Sequence, residues 1–186
     1  MLTSNKTDYG TPRDFYGWLD RQFHFSVDLA AHGGNYKHKR YFSPEQNSLH
    51  QSWEGETGFL NPPYGRGLSG WLQKARDSAM HQRAIIALVI PARVGSKWWQ
   101  RYVMCADRAA GKLRESYYVP ESRMLWLRWE GLVTGVYFHH ERLDFEGSDE
   151  RGESAPFDTA VVVHASTNRG PPAAARDPKS LLWRWP

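Results

Sequence analysis

The apolar run Ala84-Ile85-Ile86-Ala87-Leu88-Val89-Ile90, stopped by Pro91, constrains the fold more than any other stretch of the chain. It contains no polar position, so both faces of the element it forms must be covered. Its seven residues make a strand and fall far short of the roughly 20 apolar residues of a membrane span. The run therefore predicts an interior strand, covered on both faces as in a parallel sheet.

Around that strand the pattern alternates between helix and strand. Thr11-Pro12-Arg13-Asp14 carries helix-start signals: Thr11 as a cap, Pro12 at the first helical position and Asp14 at the positive end of the dipole. Phe15, Trp18, Leu19 and Phe23 recur near helical spacing, which predicts an amphipathic helix over 12–22. Residues 25–30 alternate as a short strand that runs into Ala31-His32-Gly33-Gly34-Asn35. Tyr41-Phe42 is a second short strand, and Ser43-Pro44-Glu45 opens a turn of helix. A strand over 58–60 precedes a helix over 70–82, and a further helix is expected over 97–110. Strands are expected over 114–119, 125–129, 133–139 and 156–164. This order predicts a Rossmann-like α/β fold: a mixed, mostly parallel sheet with helices on both faces, an antiparallel strand after residue 120, and ligands at the carboxyl edge. The expected organisation is a flexible N-terminus over 1–8 and one domain over 9–165, with 113–153 as room for a small target-recognition insert. A disordered Pro/Ala/Arg tail follows over 166–186.

Charge and cysteine content narrow the function. Residues 1–140 carry a net +6, residues 141–153 a net −4 and the last 21 residues a net +3, with Asp158 between the last two and an overall +4. A basic body suits a polyanionic partner without requiring one. A lone Cys105 excludes an internal disulfide framework and a multi-cysteine zinc site. The polar start Met1-Leu2-Thr3-Ser4-Asn5-Lys6 lacks a signal-peptide core, which reads as a cytoplasmic, membrane-free protein. Nine Trp, nine Tyr and eight Phe serve a small core and base stacking equally well.

The stretch that carries chemistry is Asn61-Pro62-Pro63-Tyr64, directly after the strand Gly58-Phe59-Leu60. Two prolines stop strand pairing and hold the backbone rigid. The Asn61 amide oxygen and the Pro62 carbonyl then offer two acceptors aimed at one point, which suits a planar amino group. Tyr64 supplies a face for a flat ring. The exocyclic amine of adenine fits that geometry. Its lone pair is delocalised, and two acceptors on its hydrogens return electron density to nitrogen for attack on an activated methyl. A base in a duplex must flip out to reach such a pocket.

With these residues in view, the chain resembles the phage-encoded DNA adenine-N6 methyltransferase family (Dam-like), which carries an Asn/Asp-Pro-Pro-Tyr/Phe signature. The resemblance runs from Thr11-Pro12 through 23–31, Asn35, Tyr41-Phe42-Ser43, Asn47-Ser48-Leu49 and Trp53 to 59–65. It continues through Trp71, Lys74-Ala75, 90–93 and Trp98-Trp99 to weaker matches at 123–126 and 155–157. It implies a methyltransferase-like fold, S-adenosylmethionine as methyl donor, no metal, and DNA as partner to a monomer. It also implies transfer to adenine N6 at Asn61, Pro62, Pro63 and Tyr64, and a role in DNA modification or restriction-modification, protecting phage DNA in the cytoplasm of a host cell. Cofactor contacts are then expected from Asp28, Ala30, Thr11, Pro12 and Asn47. The family usually has Asp at the position of Asn47, and no G-x-G-x-x-G follows Asp28.

Arg66, Lys74 and Arg93 are candidate phosphate contacts and Trp98 a candidate wall of the base pocket. Solvated helix positions, a structural salt bridge and core packing are the competing fates of the same residues. The acidic stretch 141–153 should point away from DNA, or approach it only through Arg114, Arg123 and Arg128. His139 and His140, as strand neighbours, face opposite sides and make no metal pair. Two other readings stay open: a catalytically inactive DNA-binding module with the same fold, and an amino methyltransferase acting on RNA or on protein glutamine.

Overall fold

The apolar run lies inside a sheet, with one parallel and one antiparallel neighbour. The computed structural model describes residues 9–120, 123–140, 142–146 and 157–167. In it the run forms β3 (Ile85–Pro91), every residue of which is buried. The other strands are β1 (Val27–Asp28), β2 (Thr57–Leu60), β4 (Leu113–Val119), β5 (Met124–Trp129), β6 (Leu132–Phe138) and β7 (Thr159–Ser166). Two α-helices are described, α1 (Arg13–Phe23) and α2 (Leu68–His81). The strands form one sheet in the order β1-β2-β3-β7-β6-β5-β4.

The expected mostly parallel sheet is corrected. Only β1–β2 and β2–β3 pair in parallel. The pairings β3–β7, β7–β6, β6–β5 and β5–β4 are antiparallel. A continuous apolar strand reports burial on both faces, and β7, buried along its whole length, gives β3 an equally covered neighbour from the opposite direction. Only Glu130 and Gly131 separate β5 from β6, a connection far too short for a parallel crossover. The stretch expected to hold a small insert thus contributes β4, β5 and β6 to the same sheet. The terminus 1–8, residues 147–153 and the tail from 168 onward lie outside the described residues.

The expected helical cover is also reduced to α1 and α2 among the described residues. Of residues 97–110, Lys97 and Trp98 are α-helical and lead into a five-residue π-helical stretch, Trp99–Val103, followed by turns. Cys105 and Arg108 adopt left-handed backbone angles, φ 49° and 60°. Asp107 accepts from the Arg76 and Arg101 guanidinium groups at 3.0 Å each, drawing the segment off a helical path onto α2. At α1 the expected cap differs as well. Pro12 holds the N-cap position with no side-chain cap, and Asp14 Oδ1 accepts the Phe15 N–H at 2.8 Å. His139 and His140 fall past the end of β6 with their rings stacked at 5.2 Å, not on opposite faces of a strand. Among the described residues no helix is long and apolar enough to cross a membrane, and no three His, Cys, Asp or Glu cluster as metal ligands.

α1 buries Phe15, Tyr16, Trp18, Leu19 and Phe23, and Tyr16 meets Phe59 of β2 edge-on at 5.0 Å. Each such fully buried large apolar side chain contributes about 1.5–3 kcal/mol. Gly135 of β6 is required by close approach: a Cβ there would lie 2.6 Å from Trp126 Cζ3. Gly135→Ala should therefore cost about 1–3 kcal/mol. In contrast, Gly70→Ala, at an α2 position open to solvent, should stabilise by up to about 1 kcal/mol. Urea unfolding of both variants checks the pair.

His164 of β7 is fully buried, with Nδ1 3.1 Å from Thr134 Oγ1, and burial pushes its pKa down to about 3. An unfolded histidine titrates near 6.5, so between these values the unfolded chain binds the extra proton. The contribution is complete above about pH 6.5 and is lost as pH falls toward 3. The urea midpoint should fall across that window, and fall less steeply in His164→Gln.

Candidate active site

β2 ends where Asn61-Pro62-Pro63-Tyr64 begins, at the carboxyl edge of the parallel strands. The prolines cannot continue the ladder, so the chain turns out of the sheet and enters α2 a few residues later. Tyr64 folds back and is buried, with its hydroxyl 2.8 Å from Asn61 Oδ1 and 3.0 Å from the Val89 carbonyl of β3. Burial, with Tyr9 adding to it, holds the phenol well above its usual pKa, so it stays a neutral donor. Asn61 Nδ2 donates to the Tyr9 carbonyl, which fixes the orientation of the amide. Asn61 Oδ1 accepts one of these bonds and keeps a second lone pair.

Beside the motif opens a cavity of about 300 Å³, at the lower end of small-molecule sites. Asn61 and Pro63 form one wall and Trp71 of α2 adjoins them. The loop after β1 contributes Ala30, Ala31, His32 and Asn35. The stretch around the 3-10 turn Ser48–His50 contributes Phe42, Ser43, Pro44, Asn47 and Ser48. Ser48 Oγ is buried with no hydrogen-bond partner. A mainly apolar cavity with Asn35, Asn47 and Asn61 among its lining residues fits a ligand having both a flat ring and polar edges.

The expected cofactor residues divide. Ala30 and Asn47 lie on the cavity wall; Asp28, Thr11 and Pro12 do not line it. Asp28 is buried at the end of β1. Its Oδ2 accepts the Lys37 N–H at 2.9 Å and its Oδ1 the Ala30 N–H at 3.3 Å. Burial raises its pKa against the pull of those amides and of the Lys37 and His38 charges. It shapes the loop that carries Ala30, Ala31, His32 and Asn35. Thr11 Oγ1, released from capping, is buried without a partner.

The candidate DNA contacts also divide. Arg66 and Arg93 are exposed. Lys74 Nζ lies over the Trp53 ring, 5.4 Å from its centroid. Trp98 is half-buried and tilted against Trp99 at 5.8 Å. Arg114 pairs with Glu130 at 2.5 Å and Arg128 approaches Glu115 at 3.9 Å. The described part of the acidic stretch does not turn away from the site. Phe145 sits edge-on to Tyr64, and Glu146 pairs with Gly10 and Lys37. Sequence reasoning missed Tyr9, Phe145 and Phe157 around Tyr64. It also gave no role to Ser48 and Trp71, although both fall in the stretches that carry the family resemblance.

Residues 1–130 match the profile of the family described as DNA N-6-adenine-methyltransferase (Dam). A DNA N-6-adenine-methyltransferase of Haemophilus phage HP1 (strain HP1c1) is 29% identical over 129 residues, covering 68% of this chain and 70% of the relative. The family match spans the motif, the cavity-lining loops and β1 to β5, and ends before β6.

Proposed function

Because the chain belongs to the DNA N-6-adenine-methyltransferase family, its activity is S-adenosylmethionine-dependent methylation of adenine N6 in DNA, and we propose that the Asn61–Tyr64 corner is where the base reacts. The observation that carries this reading is that Asn61 and Pro63 line a cavity together with the loop after β1 and the stretch around Ser48. The residues that would hold S-adenosylmethionine are Ala30, Asn35, Asn47, Ser48 and Trp71, with Asp28 acting through the loop it ties down. Bound there, the cofactor supplies a methyl group made electrophilic by its sulfonium.

The protein's own part is orientation and charge. The spare lone pair of Asn61 Oδ1 and the Pro62 carbonyl accept the two N6 hydrogens and pull the amine toward a tetrahedral shape. With S-adenosylmethionine bound, the amine so oriented would present its lone pair to the sulfonium methyl, and its surplus proton would pass to water. Pro63 stiffens the turn, and the Tyr64 ring supports the flipped base. The neutral phenol anchors Asn61 rather than taking a proton. Arg66 and Arg93, on the loops that follow β2 and β3, meet the phosphates, while Lys74 and Trp98 support the walls from behind. The enzyme works on DNA in the host cytoplasm as a monomer, and the modification protects phage DNA from nucleases.

Asn61→Ala should lower the methylation rate by at least ~10²-fold, the size of losing one positioned polar group. Calorimetric titration with S-adenosylmethionine should stay close to wild type. Mass measurement of nucleosides from DNA of expressing cells should find N6-methyladenine with the parent and not with the variant. Near-normal methylation by Asn61→Ala would overturn the assignment.

A further inference from the structure

The face of Tyr64 is already occupied. The Tyr9 ring lies on it with centroids 5.6 Å apart and planes 25° apart. Phe145 and Phe157 close around the pair edge-on, at 6.2 and 5.4 Å from Tyr64 and 5.5 Å each from Tyr9. The Tyr9 carbonyl also takes the Asn61 Nδ2 hydrogen. One residue therefore engages both the stacking group and the hydrogen-bonding group of the motif.

A short strap holds Tyr9 there. Gly10 and Glu146 exchange two backbone hydrogen bonds, at 3.2 and 2.6 Å, as an isolated antiparallel bridge. Their approach is tight at Gly10, where a Cβ would lie 3.1 Å from Glu146 Cβ. The Glu146 carboxylate pairs with the Lys37 ammonium, whose side chain is 2% exposed. The strap is tied by this bridge, the Glu146–Lys37 ion pair and the Asn61–Tyr9 hydrogen bond, against the much longer ladders of a seven-stranded sheet. Elements with so few backbone bonds open locally while the sheet stays closed.

We propose that Tyr9 belongs to the target-base site: its ring keeps the stacking position on Tyr64 in the absence of DNA, and the incoming adenine takes that position as the Tyr9–Gly10 segment moves aside. This rests on the reading of Tyr64 as the platform for the flipped base. One aromatic stack replaces another, and entry further costs the bridge, the ion pair and the edge contacts of Phe145 and Phe157 with Tyr9. Displacement also releases the Asn61 amide N–H from the Tyr9 carbonyl. A ring of this size leaves no unfilled, wettable slot beside Tyr64, so the apolar corner stays dry until a base arrives.

Hydrogen exchange on the full-length protein tests the proposal. The probe is short duplexes of unmethylated genomic DNA with S-adenosylhomocysteine present. The Gly10 and Glu146 amides should lose protection on DNA binding while the β3 amides keep theirs. Protection that holds or increases at Gly10 and Glu146 overturns the proposal. Methyl transfer to the same DNA is measured in parallel with S-adenosylmethionine. Transfer without loss of protection removes Tyr9 from the base site and leaves the proposed function standing, whereas absence of transfer strikes down both. Tyr9→Ala should lower the KM for DNA about fivefold, the worth of one aromatic pair. An unchanged or raised KM in a folded Tyr9→Ala protein counts against the placement.

Discussion

Burial of β3 on both faces is the constraint from which the site follows. A strand with no polar position must have a covered neighbour on each side, and it has β2 in parallel and β7 antiparallel. β2 is thereby held with its carboxyl end beside Leu88, and the chain beyond it must leave the sheet because two prolines follow. The Tyr64 hydroxyl then reaches the Val89 carbonyl. The reactive corner is fastened to a fully buried strand rather than carried on a free loop. Such support is what positional catalysis requires, since small displacements of an orienting group cost large factors in rate.

How much of this was legible depended on the range of the interaction. Local signals sufficed for α1, α2, β2 and β3, because periodicity and prolines act within a few residues. Strand direction was not legible for β7, since an apolar face looks the same from either end. The expected helix over 97–110 ends at Val103 for a related reason. Its spacing is helical, but Asp107 is drawn to Arg76, 31 residues earlier in the chain. At the site, Asn61, Pro63, Ala30 and Asn47 line the same cavity, whereas Asp28, Thr11 and Pro12 do not. Asp28 was noticed correctly as a strand-end carboxylate, but its partners are the amides of its own loop. Ser48 carried no signal in composition or spacing: one serine among many becomes notable only when its hydroxyl is buried and unpaired.

The charge pattern takes on a different meaning in three dimensions. Summed along the chain, the acidic stretch after residue 140 suggested a segment kept away from phosphate. Its described portion instead lies against the motif, and Glu146 neutralises a nearly buried Lys37. A lysine side chain that is 2% exposed needs such a partner, because an unpaired buried charge costs several kcal/mol. The acidic residue is thus placed by a local demand for charge balance, not by repulsion from a distant polyanion. Arg66 and Arg93 remain exposed near the carboxyl edge, while Arg114 and Arg128 are directed toward Glu130 and Glu115.

The same local logic bears on why an asparagine, rather than an aspartate, opens the motif. Either side chain offers an oxygen to an amino group, and a carboxylate would offer the stronger one. Only the amide also offers a donor, and here that donor meets the Tyr9 carbonyl. A carboxylate at position 61 would set an anion against that carbonyl. Asparagine at 61 and the closed Tyr9 strap are therefore one arrangement. The residue that orients the amine also holds the segment covering the stacking face, so closure of the site and its readiness for chemistry depend on the two ends of a single side-chain amide.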